Sequence, residues 1–484
     1  MTKNLYRIGL LSIFLLSLSL RFWGLDRFNT LVFDEIYYAK FGHNYLNHLP
    51  FFDGHPPFGK YMIALGMWLS SYIPFWQEGV NGLTGAMRSP WSYRWINALS
   101  GSFIPIFTAN IAYQISNRPG FALLAGLFTA LDGLFLVESR YALINIYIVI
   151  FGLLGQWLFL LALSNYRKKR NLYLILAGVA FGCSIATKWN GLFYLVGIYL
   201  IWGLGWVWQL ITGKNHLTDE QETNTQNISS LYKLTQVNIW QIILFLGIIP
   251  TAIYSLIWVP HLQINPKYNF IQVHQEILGF HERLGGNTAQ VHPYCAAWYK
   301  WPLMTRPMAY YYQTAQSVND PLPVLGPPLP SGAGKVIYDV HAMGNPFLWW
   351  FGVAALLFLL GMLIIKVAIP LVNKQPLALP RQLSVDSWIA IYILLNYAVN
   401  LLPWTRVSRC AFIYHYMTAV VFAFLAIAWF VDQCLRSYHP PLRIVGVTIS
   451  FLIIAAFIFW LPVYLGLPLS PEDYKLRMWF RSWV

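Results

Sequence analysis

The sequence predicts an all-α polytopic membrane protein with about eleven transmembrane helices and two larger loops on one face. Three observations carry this expectation. Hydrophobic residues make up 57% of the chain and charged ones only 10%, the mean hydropathy is +0.50, and apolar runs recur from end to end. Each run is about 20 residues, the length a helix needs to cross a hydrocarbon core roughly 30 Å thick. The 22 Trp and 30 Tyr suit a chain with many water–lipid boundaries, although they would serve equally in a large apolar core. A net charge of +14 raises nucleic acid as a partner. The basic residues are scattered among apolar segments, however, with one short cluster at Arg167, Lys168, Lys169 and Arg170, so no nucleic-acid binding is expected.

The first apolar run, residues 6–24, lacks the small-residue cleavage site of a signal peptide and leads into an acidic stretch. It therefore reads as a first span with its N-terminus in the cytoplasm. Further spans are expected at residues 93–115, 120–137, 142–163, 172–187, 192–211, 239–259, 346–367, 385–402, 411–431 and 444–465. Residues 58–75, short and preceded by two prolines, read as an interfacial or re-entrant helix. Short-loop bias supports the orientation: Arg118, the 167–170 cluster, Lys366, Lys374, Arg381, Arg436 and Arg443 fall on the cytoplasmic side, as does a polar linker at residues 216–236. Acidic residues concentrate outside, at 26–78 and 276–339. The outward loops 26–91 and 260–345 are large enough to form a site but not a separate large domain, so residues 1–484 read as one membrane domain.

Several chemistries find no support. Gly334-Lys335 lacks the first glycine and the Ser/Thr of a phosphate-binding P-loop, with Leu329 and Val336 in those places, and no dinucleotide fingerprint, heme motif or internal repeat is visible. The four cysteines show no paired spacing, which argues against a zinc site or a disulfide framework, although Cys295 and Cys410 could meet outside the membrane. No cofactor is called for. A divalent cation stays open, but His43, His48 and His55 are irregularly spaced, with Asp53 as their nearby acid after Glu35, and read as hydrogen-bonding and loop residues.

Ionisable groups near a bilayer are costly unless paired or wet, so those at the outward helix ends are the informative ones. Asp34 and Glu35 follow the first span by about ten residues, flanked by apolar neighbours. Such a pair raises the proton affinity of at least one member, as a general base acting on a hydroxyl needs; alone, however, it reads more readily as an exposed acidic corner or a helix N-cap. Residues 52–60, Phe-Asp-Gly-His-Pro-Pro-Phe-Gly-Lys, form a rigid turn that fixes His55 and Lys60. Arg94, Arg140 and Lys188 each stand at an outward helix end, and Arg406, Arg409 and His415 follow. One such cation is ordinarily snorkelling; several on one face suit an anion cage for a phosphate.

In this order the Asp-Glu pair, His-Pro-Pro-x-Gly-Lys, Arg94, Ser139-Arg140, Lys188-Trp189-x-Gly191, His292-Pro293-Tyr294 and Tyr414-His415-Tyr416 resemble the protein O-mannosyltransferases of the GT-C membrane glycosyltransferase superfamily. The likeness runs from the first helix to about Phe430. It implies a GT-C fold and inverting transfer of mannose from a polyprenyl-phosphate-mannose donor to Ser/Thr hydroxyls of secreted proteins, with membrane lipid as surroundings. It implies Asp34 as base beside Glu35, and His55, Lys60, Arg94, Glu138, Arg140, Lys188, Arg406 and His415 as candidates for holding the donor's phosphate and sugar. His292, Tyr294 and the stretch from Trp298 to Tyr312 are candidates either to bind the acceptor peptide or only to brace the loop.

Two departures stand out. Ile144-Asn145 replaces the family's usual Leu-Asp, weakening any pairing of that acid with the arginine, and loop 260–345 is too short for the β-trefoil domain of eukaryotic members. A bacterial-type enzyme of the inner membrane, with its site facing the periplasm, is implied. Two alternatives remain: a related GT-C transferase delivering sugar to a lipid or glycan, and a transporter, for which Asp132 and Asn145 would be the intramembrane candidates.

Overall fold

The computed structural model describes residues 2–73, 88–212, 230–373 and 383–484. Glu78, residues 216–229 of the expected linker, Lys374 and Arg381 lie outside the described residues. Among the described residues, eight helices are long and apolar enough to cross a membrane, and a helix pair bent by 58° passes the same test when its two halves are taken together.

The chain opens with α1 (Lys3–Phe22), started by the Thr2 hydroxyl accepting the Leu5 N–H. Two short helices, α2 (Glu35–Leu46) and α3 (Phe58–Ser70), fill the first loop. At 13 residues α3 is about 20 Å long, too short for a roughly 30 Å core. The expected span at 93–115 is two helices, α4 (Pro90–Gly101) and α5 (Ile104–Ser116), because Pro105 in the first turn of α5 lacks the N–H that would continue the helix. The next pair, α6 (Pro119–Ala130) and α7 (Gly133–Arg140), is the bent one. Asp132 makes that bend by accepting the N–H groups of Phe135 at 3.0 Å and Asn345 at 3.1 Å and the Trp349 indole N–H at 2.7 Å. Its carboxylate is thus a helix cap.

Then follow α8 (Asn145–Leu163), α9 (Arg167–Ile185) and α10 (Leu192–Thr212). Here α9 covers the expected span 172–187 but starts on the basic cluster, which keeps it out of the apolar set. The helical run α11 (Ile239–Ile264) includes a π-helical stretch at Ile242–Ile248. After it come α12 (Phe270–Arg283), α13 (Pro346–Val372), α14 (Val385–Leu401), α15 (Met417–Arg436) and α16 (Pro440–Leu465). Centrality differs widely: 83% of the span ending in α15 is buried against 17% of α1, and α15 packs on α6, α13, α14 and α16.

Two findings add to the sequence expectation. Within the helical fold, loop 260–345 contains an antiparallel hairpin, β1 (Met308–Ala315) with β2 (Val336–Ala342). Cys295 and Cys410 are joined in a disulfide with Cα atoms 5.2 Å apart, a contact that their separation of 115 residues hid from spacing arguments.

Candidate active site

Residues 25–35 turn off the end of α1 and are locked by one buried ion pair. Arg94, fully buried, donates Nε and Nη2 to the two Glu35 carboxylate oxygens at 2.8 and 2.7 Å. Its remaining N–H groups go to the carbonyls of Leu25, Phe28 and Thr30. All five donors of the guanidinium are thereby used. Glu35 also accepts the N–H groups of Val32 and Ala142. Neither side chain has capacity left for substrate, which corrects the expectation of Arg94 as a phosphate ligand and leaves Glu35, beside the candidate base, as the residue that orients a neighbouring cation and the loop.

That lock leaves Asp34 at the N-cap position of α2 without a side-chain cap bond, its carboxylate on the wall of a cavity of about 590 Å³. Burial pushes its carboxyl up to about 6 against the pull of the Lys188 ammonium. The other walls come from Asp53–His55, from Phe280 and His281 of α12, from His292, and from Arg409, Phe412, Tyr414 and His415. A second cavity of about 420 Å³ shares Gly54, His55, His281, Arg409 and His415 with the first and adds Lys188. Among the sequence candidates, Asp34, His55, Lys188, His292 and His415 are thus brought together, with Arg409 beside them.

The Lys188 ammonium donates to Asn145 Oδ1 at 2.7 Å and sits 5.1 Å over the Tyr414 ring. Burial lowers it to about 8, opposed by Asp34 and Glu138. His55 and His281 face each other at 5.4 Å, and burial with nearby cations holds both below the usual histidine range, His281 at about 4. His281 Nε2 donates to the Gly54 carbonyl at 2.9 Å, which ties α12 to the turn that carries His55. The Gly-His-Pro-Pro-Phe-Gly-Lys motif explains itself sterically: a Cβ on Gly54 would overlap Phe280, and one on Gly59 would come within 2.8 Å of Ile144.

The other candidates stand elsewhere. Lys60 is buried behind the cavity, bound to Asp53 and to the His55 carbonyl at 2.7 Å, and so fixes the turn. Arg140 caps the end of α1, donating to the carbonyls of Leu20, Arg21, Trp23 and Gly24. Glu138 is buried, accepting from Asn145 and Tyr310. Arg406, at the end of a 3-10 turn, is exposed and outside both cavities; Arg409, three residues on in extended backbone bridged to Gly286, lines them. Tyr294 stacks under Arg306 and Trp298 packs on the core, neither reaching a cavity. His281 escaped the sequence reading. Its signal was present: it continues the buried Val273–Ile277 stripe of α12 at i+4 spacing, where a histidine facing inward needs a reason. Among the described residues, no three His, Cys, Asp or Glu side chains cluster as metal ligands.

The site is thus a carboxylate and two cations, Lys188 and Arg409, around joined cavities in a bundle of membrane-spanning helices, the arrangement of a membrane protein that handles a charged substrate. Over residues 11–265 the sequence matches the dolichyl-phosphate-mannose-protein mannosyltransferase family, and over 266–483 the C-terminal four TMM region of protein-O-mannosyltransferase. The chain belongs to this family. It is 24% identical to the polyprenol-phosphate-mannose–protein mannosyltransferase of Mycolicibacterium smegmatis, over 94% of this chain and 88% of that one. Identity with the enzyme of the same name from Corynebacterium glutamicum is 22%, over 89% and 81%. The fold matches the Saccharomyces cerevisiae protein O-mannosyltransferase Pmt1-Pmt2 complex bound to the sugar donor, with a TM-score of 0.78 at 14% identity, covering 100% of this chain and 93% of that one.

Proposed function

We propose that this enzyme transfers mannose, with inversion, from polyprenyl-phosphate-mannose to Ser or Thr hydroxyls of secreted proteins at the periplasmic face of a bacterial inner membrane. The observation that carries this reading is the Asp34 carboxylate on one wall of a cavity whose continuation is lined by Lys188 and Arg409. In that reading Asp34 takes the acceptor hydroxyl proton, the oxygen attacks the anomeric carbon, and the bond to phosphate breaks on the opposite side. Charge grows on the departing phosphate, where fixed cations stabilise it, so no second acid is required.

Two further features support the donor's placement and the orientation. The Lys188 cavity meets, through Leu192, an apolar groove that runs past Tyr199 to a space of about 720 Å³ against the π-helical stretch of α11, suited to a polyprenyl tail. The Cys295–Cys410 disulfide lies on the cavity face, as expected for an oxidising compartment, whereas Arg118 and Arg436, paired with Asp386 and Asp432, lie at the other end. The test is incubation of the purified protein with polyprenyl-phosphate-mannose and a Ser/Thr-rich peptide, followed by mass spectrometry. A hexose on the peptide supports the reading. Transfer to lipid or glycan alone would replace the acceptor assignment.

A further inference from the structure

The residue before the base is the unusual one in the first loop. Phe33 has φ of 53°, the left-handed region that a bulky side chain enters only when its surroundings hold it there. What holds it is a ring from the other large loop: Tyr310 stacks on Phe33 with centroids 4.1 Å apart and planes 13° from parallel. Tyr310 is itself special, because the β1–β2 ladder pairs Ala309 with His341 and Tyr311 with Val340 and skips it. It is the extra residue of a β-bulge, a device that re-aims a side chain, and here it is turned inward and buried.

From its hydroxyl the contacts continue to the phosphate side. Tyr310 donates to Glu138, whose carboxylate accepts the Asn145 amide at 3.2 Å, and Asn145 Oδ1 accepts the Lys188 ammonium. Lys188 rests over Tyr414, and the Tyr414 ring lies 6.1 Å from Phe33. Phe33, Tyr310, Glu138, Asn145, Lys188 and Tyr414 thus form a closed ring of contacts that starts and ends on the residue before Asp34.

We propose that Tyr310 is a positioning residue for both halves of the site: its ring fixes Phe33 and hence the Asp34 carboxylate, and its hydroxyl, through Glu138 and Asn145, fixes the Lys188 ammonium. The inference rests on the mannosyl-transfer reading above for its kinetic consequences. It accounts for Asn145, since a neutral amide bridges an acid and an ammonium by donating to one and accepting from the other, which a carboxylate does not do.

Two single variants separate the arms. Tyr310→Phe keeps the stack and removes the hydroxyl; it is expected to raise the donor KM and to lower kcat/KM roughly tenfold, the usual effect of losing a charge-assisted hydrogen bond. Phe33→Leu removes the stack and is expected to lower kcat at least about tenfold with donor KM unchanged, while Phe33→Tyr restores kcat. A readout that needs no activity runs in parallel: Tyr310→Leu should speed amide exchange at Tyr37 and Tyr38, whose N–H groups bond to the Asp34 carbonyl, and Tyr310→Phe should not. Folded variants with wild-type KM, kcat and exchange overturn the inference, as does a loss of apparent kcat in both variants that tracks the folded fraction with donor KM unchanged. If the wild-type protein transfers no mannose, the functional reading fails, and the exchange pattern alone decides the positioning role.

Discussion

Replacing Arg94 by Met tests whether that arginine holds the loop or the substrate. The guanidinium and the Glu35 carboxylate are both fully buried, and the cation spends all five N–H groups on Glu35 and three carbonyls. Removing one partner of a buried pair strands the other, at a cost of about 3–5 kcal/mol. The carbonyls of Leu25, Phe28 and Thr30 lose their donor as well, each worth about 1–3 kcal/mol if buried, though such losses do not simply add. The expected result is a protein destabilised by at least about 3–5 kcal/mol. Combining Arg94→Met with Glu35→Leu should return part of the loss, but not all, because the Val32 and Ala142 N–H groups remain without their acceptor. Urea unfolding in detergent, followed by tryptophan fluorescence, measures this, with polyprenyl-phosphate binding as the companion assay. An Arg94→Met protein of wild-type stability whose affinity for polyprenyl phosphate fell tenfold would refute the assignment and return Arg94 to the phosphate.

Asp34→Asn cannot accept a proton, so kcat should fall at least about a hundredfold while binding of polyprenyl phosphate survives; mannose transfer at near wild-type rate would place the base elsewhere. The pH profile has a definite sign. Asp34 works deprotonated and Lys188 works protonated, so kcat/KM should rise with pH through about 6 and fall above about 8. Lys188→Arg should shift the falling limb upward, and an unmoved limb would remove Lys188 as its source. Lys188→Ala should weaken donor binding roughly ten- to a hundredfold, measured by titration with polyprenyl phosphate.

What the sequence made legible follows from the range of each signal. Apolar length is local, so residues 142–163, 385–402 and 444–465 could be marked as helices, and the 58–75 segment as too short to cross. Breaks were harder. Pro105 and Asp132-Gly133 split helices inside apolar runs, where hydropathy averages over the one residue that matters. The site divides the same way. Asp34, His55 and Lys188 carry motif neighbours and were marked; Arg94 and Arg140 carry equally good ones, but which cations face a cavity depends on who receives their N–H groups. Those partners are carbonyls of residues 20–30 and Glu35, and a backbone acceptor has no sequence signature. His281 and Tyr310 enter from the second loop by helix phase and by a bulge, both invisible to motif reading.

The disulfide offers a last test of how the two walls of the site are held. Cys295–Cys410 closes a separation of 115 residues and stands beside Arg409 and close to His292, both cavity-lining. A loop of that length confers up to about 4.7 kcal/mol through the unfolded chain, with about 2–4 kcal/mol typical. The lower part of that range is expected here, because a bilayer keeps the intervening helices formed and near one another when tertiary packing is lost. Breaking it would not detach the walls. Backbone bonds from Cys410 to Gly285 at 2.8 Å, Ala296 to Ala411 at 2.8 Å and Asn287 to Ser408 at 3.1 Å still join them. The Cys295→Ser, Cys410→Ser double variant should therefore fold, lose about 2–3 kcal/mol of stability, and show a donor KM raised severalfold as Arg409 loosens. Its kcat should stay, since Asp34 is anchored through Glu35 and Arg94 on the opposite wall. Cys183 and Cys434 are buried free thiols, so an impermeant thiol reagent applied to intact cells after mild reduction should label the wild type and spare the double variant. A double variant with wild-type stability and donor KM but a lowered kcat would refute the separate anchoring of the two walls.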